Sequence, residues 1–188
     1  MQDHQITPMK IVSGNIMAVQ FEPKHTDSLF ELINLPEVRS GMQGQKPISY
    51  EGHTRWVQEN LLDSKKVHLF IVIENNGPGG IILIKNIEKK TAEMGIMMGN
   101  IIQSRRTLLT ARMVTGILHY AFDHLNLMQV TMNIIPQNHN STAIARKIGA
   151  YLLKQDDVYQ YYQLTREAYY RSQRNQAMID RFQPKVVA

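Results

Sequence analysis

Cysteine is absent from this chain of 188 residues, and its absence excludes three kinds of chemistry. Without it there can be no disulfide framework, no thiol nucleophile and no cysteine-based metal site. A chain free of disulfides fits a reducing compartment. We therefore expect a cytoplasmic protein whose fold depends on its hydrophobic core.

Long apolar runs are missing as well. The run Gly80–Ile84 is far shorter than the roughly 20 residues that a membrane-spanning helix needs. Residues 1–5 show no basic region followed by an apolar stretch, so no secretory signal is expected. These two features predict a protein without a membrane partner.

The seven histidines form no metal-ligand pattern in the sequence. His119 and His124 share a predicted helix, but five residues place them about 140° apart around it. No His-x-x-x-His spacing occurs, and no carboxylate completes a ligand set. No metal cofactor is expected.

The basic charge is dispersed along the chain. The formal net charge is +5 and the pI is about 9.4, yet runs such as Lys89-Lys90 and Arg105-Arg106 reach only two residues. Aromatic and basic residues do not alternate as they do in RNA-recognition sheets. We expect no nucleic-acid partner, and the charge is either a solvated surface or an anion-binding contribution confined to Arg105-Arg106.

Hydrophobic residues make up 43% of the chain, enough for one well-buried core. Periodicity and turn residues divide the sequence into alternating strands and helices. The predicted strands are Ile16–Phe21, Val67–Glu74, Gly80–Ile87, Glu93–Met98, Gln129–Ile135, Ala150–Lys154 and Val158–Thr165. The predicted helices run from Thr26 or Asp27 to before Pro36, and over His53–Leu62, Thr107–Leu125 and Asn140–Ile148, with Pro36–Tyr50 left as a loop-rich segment.

The order strand, long helix, strand around Thr107–Leu125 predicts a parallel pair of strands. That helix begins next to Arg105 and Arg106, and a helix N-terminus flanked by arginines suits a pyrophosphate. We predict a single mixed α/β (α+β) domain over residues 1–188. Its core covers about 10–169, and the polar, basic segment 170–188 either docks on the domain or serves a homodimer.

Four short motifs within Ile16–Tyr169 resemble the GNAT superfamily of N-acetyltransferases, most closely the branch that acetylates protein N-termini and small amines. They are Leu35-Pro36-Glu37-Val38-Arg39, Glu93-Met94-Gly95-Ile96, His119-Tyr120-Ala121-Phe122 and Asn138-His139-Asn140-Ser141. The resemblance implies the GNAT fold: one mixed sheet of about seven strands with flanking helices and parallel fourth and fifth strands. It also implies acetyl-CoA as the acyl donor.

The same resemblance assigns cofactor-binding residues. Backbone N–H groups near Met97 and Met98 would meet the developing oxyanion, and Asn138 and Ser141 would lie beside the pantetheine. The pyrophosphate loop of the family, Gln/Arg-x-x-Gly-x-Gly/Ala, falls on Gln103–Leu108 or on Arg105–Thr110, and neither register keeps a glycine. The remaining assigned positions are Gln103, Arg105, Arg106, Thr107, Leu108 and Thr110.

Two residues are candidates for acid–base catalysis. Glu93 is the candidate base, because an alkylammonium with a pKa near ~10 must lose its proton before it attacks; the alternative is an ion pair with Lys89 or Lys90. Ser141 is the candidate acid for the departing thiolate, with helix capping as the alternative. A tyrosine acid that many relatives use is replaced by Ala145.

A second resemblance concerns the acceptor. The segment Val38–Met42, followed by Ile48-Ser49 and the helix of His53 and Trp56, is similar to bacterial acetyltransferases of nucleotide-linked amino-sugars, where it covers the sugar nucleotide. It implies substrate contacts from Met42, Tyr50, His53 and Trp56. Core packing is the alternative for Trp56, and an exposed helix start is the alternative for His53.

The combined prediction is an N-acetyltransferase that moves acetyl from acetyl-CoA to a primary amine by direct attack. The acceptor is an amino-sugar, nucleotide-linked or free, or the N-terminal amine of a protein. The missing glycines leave an alternative from another class, a binding or regulatory module on the same fold with little or no catalysis.

Overall fold

A nine-stranded sheet organises the part of the chain that the computed structural model describes, residues 8–63, 67–74, 77–99 and 103–188. The order of the strands across the sheet is β7-β8-β6-β5-β4-β3-β2-β1-β9. In sequence the strands are β1 (Lys10–Ser13), β2 (Ile16–Gln20), β3 (His68–Glu74), β4 (Gly77–Glu88), β5 (Thr91–Met98), β6 (Gln129–Ile134), β7 (Tyr151–Gln155), β8 (Gln160–Thr165) and β9 (Lys185–Val187).

Neighbouring strands pair antiparallel at every position except one: β5 and β6 are parallel. The crossover between those two strands is the long helix that the sequence predicts, as parallel pairing requires. The predicted α/β class and the parallel pair are therefore confirmed.

Helices connect these strands. They are α1 (Thr26–Asn34), α2 (Pro36–Arg39), α3 (Tyr50–Val57), α4 (Gln103–His119), α5 (His139–Lys147), α6 (Arg166–Arg171) and α7 (Gln173–Phe182). Single turns of other helix types extend three of them: a 3-10 turn at Pro23–His25, and π-helical turns at Gln58–Leu62 and Tyr120–His124. Ser49 caps α3, since its hydroxyl accepts a hydrogen bond from the N–H of Gly52 at 3.1 Å.

The sheet separates two hydrophobic clusters. The larger cluster packs α4 against one face, with Ile117, Leu118 and Phe122 fully buried. The smaller cluster packs α1 against the other face through Leu29 and Leu32. Because side chains alternate along a strand, Met94 of β5 belongs to the first face and its neighbours Glu93 and Gly95 to the second.

The segment after β8 folds onto the domain. Phe182 of α7 is 4% exposed, and its carbonyl accepts a hydrogen bond from the N–H of Gly14 at 2.7 Å. β9 then pairs with β1 and forms the outer strand of the sheet. Residues 166–187 therefore dock on the domain, which was one of the two expectations from the sequence. The homodimer stays a prediction.

The predicted strand count of about seven is wrong, because β1 and β9 have only four and three residues and carry no alternating pattern long enough to detect. Several boundaries also differ: β4 begins at Gly77 rather than Gly80, and α3 begins at Tyr50 rather than His53. α4 begins at Gln103 rather than Thr107, and the segment Pro36–Tyr50 contains the short helix α2. Among the described residues, no helix combines the length and hydropathy needed to cross a bilayer.

Candidate functional site

The parallel strands β5 and β6 stay paired over only three positions. Thr91, Ala92 and Glu93 pair with Gln129, Val130 and Thr131. β5 continues to Met98 and β6 to Ile134, so the two strands run on beyond the end of their ladder. The sheet therefore opens into a gap between the carboxyl-terminal halves of its two central strands.

The backbone of β5 presents free donors to this gap. The N–H of Gly99 bonds to the carbonyl of Gly79 at 3.0 Å, which fixes the alternation along the strand. Met97 therefore directs its N–H toward β4, whereas Ile96 and Met98 direct theirs toward β6. Within the described ranges no strand or side chain accepts a hydrogen bond from those two N–H groups. Met98 is thus the predicted oxyanion donor that faces the gap, and Met97 is paired with Ile81.

Two helices begin at the edge where the gap opens. α4 starts five residues after β5 ends, and α5 starts five residues after β6 ends. The first N–H groups of a helix have no carbonyl one turn earlier, so the amides of Gln103, Ser104 and Arg105 have no acceptor within α4. Free N–H groups and the helix dipole both favour an anion at such a helix end.

The other predicted phosphate-loop residues lie deeper in α4, where their N–H groups bond to carbonyls four residues earlier. Thr107 is exposed and Leu108 half-buried. Thr110 is buried, and its hydroxyl donates to the Sδ of Met98 at 2.6 Å. The side chains of Gln103, Arg105 and Arg106 lie outside the described residues.

Asn138 and Ser141 meet at the start of α5. The side-chain oxygen of Asn138 accepts a hydrogen bond from the N–H of Ser141 at 3.0 Å, which is an N-cap. Ser141 is half-buried, and its hydroxyl is not used in that cap. The cap therefore leaves the hydroxyl of Ser141 available beside the gap.

Glu93 sits where the ladder between β5 and β6 ends. Its carboxylate is 2.9 Å from the ammonium of Lys85, and Asn86 donates to it at 3.2 Å. The side chain is 16% exposed, and it projects from the face that carries α1, not the face that carries α4. The ion-pair alternative thus holds with a different partner, Lys85 instead of Lys89 or Lys90.

The strands beyond Glu93 leave a polar area on that same face. Register places Thr131 beside Glu93 and Gln163 beside Thr131. Tyr161 follows on β8 and donates to Asp156 at 2.7 Å, and this bond raises the pKa of the Tyr161 phenol. These polar side chains, which the sequence analysis did not select, form a solvated floor next to the gap; only the strand register could have revealed them.

The loop between α2 and α3 reaches across to this area. Gly41 accepts a hydrogen bond from the side chain of Asn138 at 3.4 Å, and Gln43 accepts one from the hydroxyl of Tyr159 at 2.9 Å. Asn34 of α1 holds the other end of the loop, because its amide exchanges two hydrogen bonds with the backbone of Ile48, at 2.8 and 3.1 Å. The loop therefore bridges α1 to the α5 N-cap.

The four predicted substrate residues occupy different environments. Met42 is half-buried in that loop, and Trp56 is 41% exposed on α3. Tyr50 is 51% exposed, and its hydroxyl donates to Asp27 at 2.7 Å, which raises the pKa of the phenol. His53 is 1% exposed, with Nε2 bound to the carbonyl of Thr26 at 2.9 Å. Met42 thus lies in the loop, whereas His53 is buried inside the domain and hydrogen-bonded to α1.

No group of three or more His, Cys, Asp or Glu side chains arranged to hold a metal ion occurs among the described residues. The groups that line the gap are backbone N–H groups, two helix N-termini, a carboxylate and a hydroxyl.

Comparison with known proteins gives consistent results. A family model described as an acetyltransferase (GNAT) domain matches residues 16–151. A search of curated proteins finds no match.

Three solved structures illustrate the similarity of the fold. N-acetyltransferase PseH of Campylobacter jejuni, in complex with acetyl coenzyme A, is 19% identical at a TM-score of 0.60, covering 80% of this chain and 99% of its own. AAC(6')-Ib in complex with ribostamycin and coenzyme A is 14% identical at a TM-score of 0.71, and the match covers 84% of this chain and 97% of AAC(6')-Ib. FdhC, described as a nucleotide-linked sugar GNAT, is 14% identical at a TM-score of 0.74, and the match covers 92% of this chain and 97% of FdhC.

Proposed function

The chain belongs to the acetyltransferase (GNAT) domain family and is by that membership an acetyl-CoA-dependent N-acetyltransferase. We propose that it acetylates the primary amine of an amino-sugar, free or nucleotide-linked. The observation that carries the proposal is the gap between β5 and β6, with the unpaired N–H groups of Ile96 and Met98 on its wall. The N-terminal amine of a protein is the second acceptor that we propose.

The residues around the gap fit acetyl-CoA. Its pyrophosphate would be held by the N-terminal amides of α4, beginning at Gln103, because free N–H groups and the helix dipole both favour anions. Its pantetheine would run along β5 toward Asn138 and Ser141. When bound, acetyl-CoA supplies the activated acetyl group.

The missing glycines of the loop have a structural counterpart. Residues 103–110 are helical, so the N–H groups of Thr107, Leu108 and Thr110 are used inside the helix. These positions do not have to approach a phosphate, and a glycine is not needed there. The donors nearest the helix end are one turn earlier. Arg105 and Arg106, in the same turn, would add charge to the phosphate site.

The backbone of β5 would stabilise the reaction's developing negative charge. The N–H of Met98 points into the gap and, among the described residues, donates to no other strand. One such pre-oriented donor typically contributes about 3–4 kcal/mol to transition-state stabilisation. Because the donor is main chain, the identity of the Met98 side chain contributes little.

Proton transfer would fall to Glu93 and Ser141. Glu93, on the polar face beside the gap, would accept a proton from the incoming ammonium, directly or through water. Ser141, at the α5 N-terminus, would donate a proton to the departing thiolate. The amine would attack the acetyl carbonyl directly; the absence of cysteine is consistent with this and excludes a cysteinyl acyl-enzyme.

The loop between α2 and α3 supports a sugar-sized acceptor. It lies between α1 and the α5 N-cap and contains Met42, while Tyr50 stands exposed at the following helix start. FdhC, whose fold this chain shares along most of its length, is a nucleotide-linked sugar GNAT. An acceptor held under the loop would meet the polar floor around Glu93.

Proline substitution on β5 tests the central assignment. Met98→Pro removes an N–H that faces the gap and breaks no ladder hydrogen bond. We expect acetyl transfer to fall about 100-fold or more relative to Met98→Ala, which loses the same side-chain contact with Thr110 but keeps the N–H. Met97→Pro is the matched control, because its N–H pairs with β4, so it should destabilise the sheet instead.

Calorimetric titration with acetyl-CoA tests the donor site separately. We expect micromolar binding that is weakened strongly when Arg105 and Arg106 are both changed to Ala. No binding at millimolar acetyl-CoA would overturn the proposal and favour a binding module on the same fold. Turnover of Met98→Pro at the wild-type rate would remove the gap-facing donor from the mechanism.

A further inference from the structure

Arg39, the last residue of α2, is a buried cation. Its side chain is only 6% exposed, and an arginine keeps its charge at all physiological pH values. Charged side chains are almost never buried to this extent unless a partner of opposite charge accompanies them.

The partners of Arg39 are neutral. One terminal nitrogen donates to the carbonyl of Lys46, and the other to the Sδ of Met42 at 3.4 Å. Its Nε is buried and has no hydrogen-bond partner in the part of the chain that the structure describes. Across those same residues, no Asp or Glu forms an ion pair with it. The positive charge is therefore uncompensated.

Arg39 lines a surface cavity of about 250 Å³. The other lining residues are Asn34, Pro36, Ser40, Gln45 and Pro47, so Arg39 is the charged member of the set. The volume is smaller than the roughly 300–1,000 Å³ of pockets that hold a whole drug-sized ligand. It suits one small group of a larger molecule.

The cavity lies close to the candidate reaction centre. Gly41, two residues after Arg39, is hydrogen-bonded to Asn138 at the start of α5. Gln43 in the same loop is bonded to Tyr159 at 2.9 Å. The loop beside the cavity is therefore attached to α5, the helix that begins at the gap between β5 and β6.

We infer that Arg39 and its cavity form a subsite for an anionic group, carboxylate or phosphate, of the amine acceptor. The charge that the fold leaves unpaired would be paired by the substrate, with charge-assisted hydrogen bonds to the guanidinium. This deepens the proposed function and rests on it for the identification of the ligand as the acceptor. An amine without an anionic group would leave Arg39 unpaired and bind more weakly.

Titration with inorganic phosphate and with acetate tests the subsite. The protein is first saturated with acetyl-CoA, which fills the phosphate-binding end of α4, and thermal stability is then followed against potassium chloride of equal ionic strength. We expect one or both anions to raise the melting temperature beyond the chloride control. The anion that does so identifies the acceptor group as phosphate or carboxylate.

Three variants separate charge from loop order. Arg39→Met should weaken anion binding about tenfold or more, whereas Arg39→Lys keeps a positive charge and should retain part of it. Tyr159→Phe removes the tether to Gln43 without changing charge and should bind the anion within about twofold of wild type.

The inference is overturned if neither anion stabilises the wild type beyond chloride, or if Arg39→Met binds as well as wild type. Loss in Tyr159→Phe equal to that in Arg39→Met would also overturn it, because loop order would then explain the effect. Failure of acetyl-CoA to bind would count against the proposed function alone, since the anion titration can be repeated on the free protein.

Discussion

The side chain of Asn138 donates a hydrogen bond to the carbonyl of Gly41 at 3.4 Å, across 97 residues of sequence. The same side chain caps α5 through its oxygen, which accepts from Ser141 at 3.0 Å. A Cβ at Gly41 would lie 3.0 Å from the side-chain nitrogen of Asn138, so a larger residue at position 41 would crowd this hydrogen bond. One amide thus fixes both the helix beside the donor site and the loop over the acceptor site.

The two roles of Asn138 can be separated by substitution. Asn138→Asp keeps an oxygen for the cap but loses the N–H that holds Gly41, so stability should stay within about 0.5 kcal/mol of wild type. Acceptor KM should rise several-fold because the loop is freed. Asn138→Ala loses the cap as well and should cost about 1 kcal/mol. Chemical denaturation and steady-state kinetics measure the two effects.

Equal acceptor KM in wild type and Asn138→Asp would show that the loop does not depend on this bond. Acetyl-CoA affinity of Asn138→Asp serves as the control, and we expect it to stay near the wild-type value.

Glu93 is expected to act in proton transfer. Glu93→Gln keeps the size of the side chain and its place beside Lys85 but cannot accept a proton, so kcat should fall about 100-fold or more. Acetyl-CoA affinity should be unchanged. Lys85→Met is the matched control, because it removes the ion pair at 2.9 Å and leaves the carboxylate intact.

Rates across a range of pH decide this assignment. Full turnover of Glu93→Gln at every pH would exclude Glu93 as the base. If Lys85→Met lost as much activity as Glu93→Gln, the ion pair would be the important element, not the free carboxylate.

The hairpin between β7 and β8 should weaken in acid. The N–H groups of Tyr159 and Val158 each donate to Asp156 at 2.8 Å, and Tyr161 donates at 2.7 Å. The N–H of Tyr159 is the largest cause that lowers the pKa of this carboxyl from its ordinary value of 3.8. The stabilisation is therefore present above that value and lost as pH falls through the lower, folded one.

Asp156→Asn should remove this dependence. We expect the difference in unfolding free energy between wild type and variant to shrink as pH falls below about 4. The alkaline titration of Tyr161 should also move to lower pH in the variant, because the carboxylate that raises the pKa of its phenol is gone. A pH-independent difference would contradict the assignment.

Asp123 should contribute to the attachment of α6. Its carboxylate accepts hydrogen bonds from Arg166 at 3.0 Å and from Tyr170, and lies 2.8 Å from Nδ1 of His119. Asp123→Ala leaves these partly buried donors unpaired and should cost about 1–3 kcal/mol. Asp157 is an exposed carboxylate in the β7–β8 connection, so Asp157→Ala controls for the change in net charge. Denaturation curves compare the two.

Tyrosine titration gives a second readout for Asp123. Burial, followed by the hydrogen bond to Asp123, raises the pKa of Tyr170. Asp123→Ala should therefore let this phenol ionise at lower pH. An unaltered titration, together with unaltered stability, would contradict the role of Asp123.

Turn residues and hydrophobic periodicity predicted most of the helices and strands. Gly149 follows the predicted helix Asn140–Ile148 and ends α5 with a φ of +89°, a conformation that disfavours a Cβ. The dense run of Val, Ile and Phe within Val67–Glu74 correctly predicted β3, and the apolar face around Ile117 predicted α4. Signals of this kind are local, so one sequence contains them.

The parts that sequence did not predict depend on register and on long-range contact. Lys85 is the partner of Glu93 because β4 and β5 pair residue 85 with 93, and an irregularity near Asn86, with φ +51°, sets that register. Arg39 is buried because a loop folds over it through Lys46. Neither relationship leaves a pattern in a single sequence.

The pairing of β1 with β9 has a consequence for the time course of folding. Ile11 finds its partner Val186 about 175 residues later. At a synthesis rate of about 5–20 residues per second, the edge of β1 stays unpaired for roughly ten to thirty seconds after it emerges from the ribosome. During that interval its free backbone groups can pair with another nascent chain. Slow translation or crowded polysomes should therefore favour misassembly through β1 more than through any interior strand.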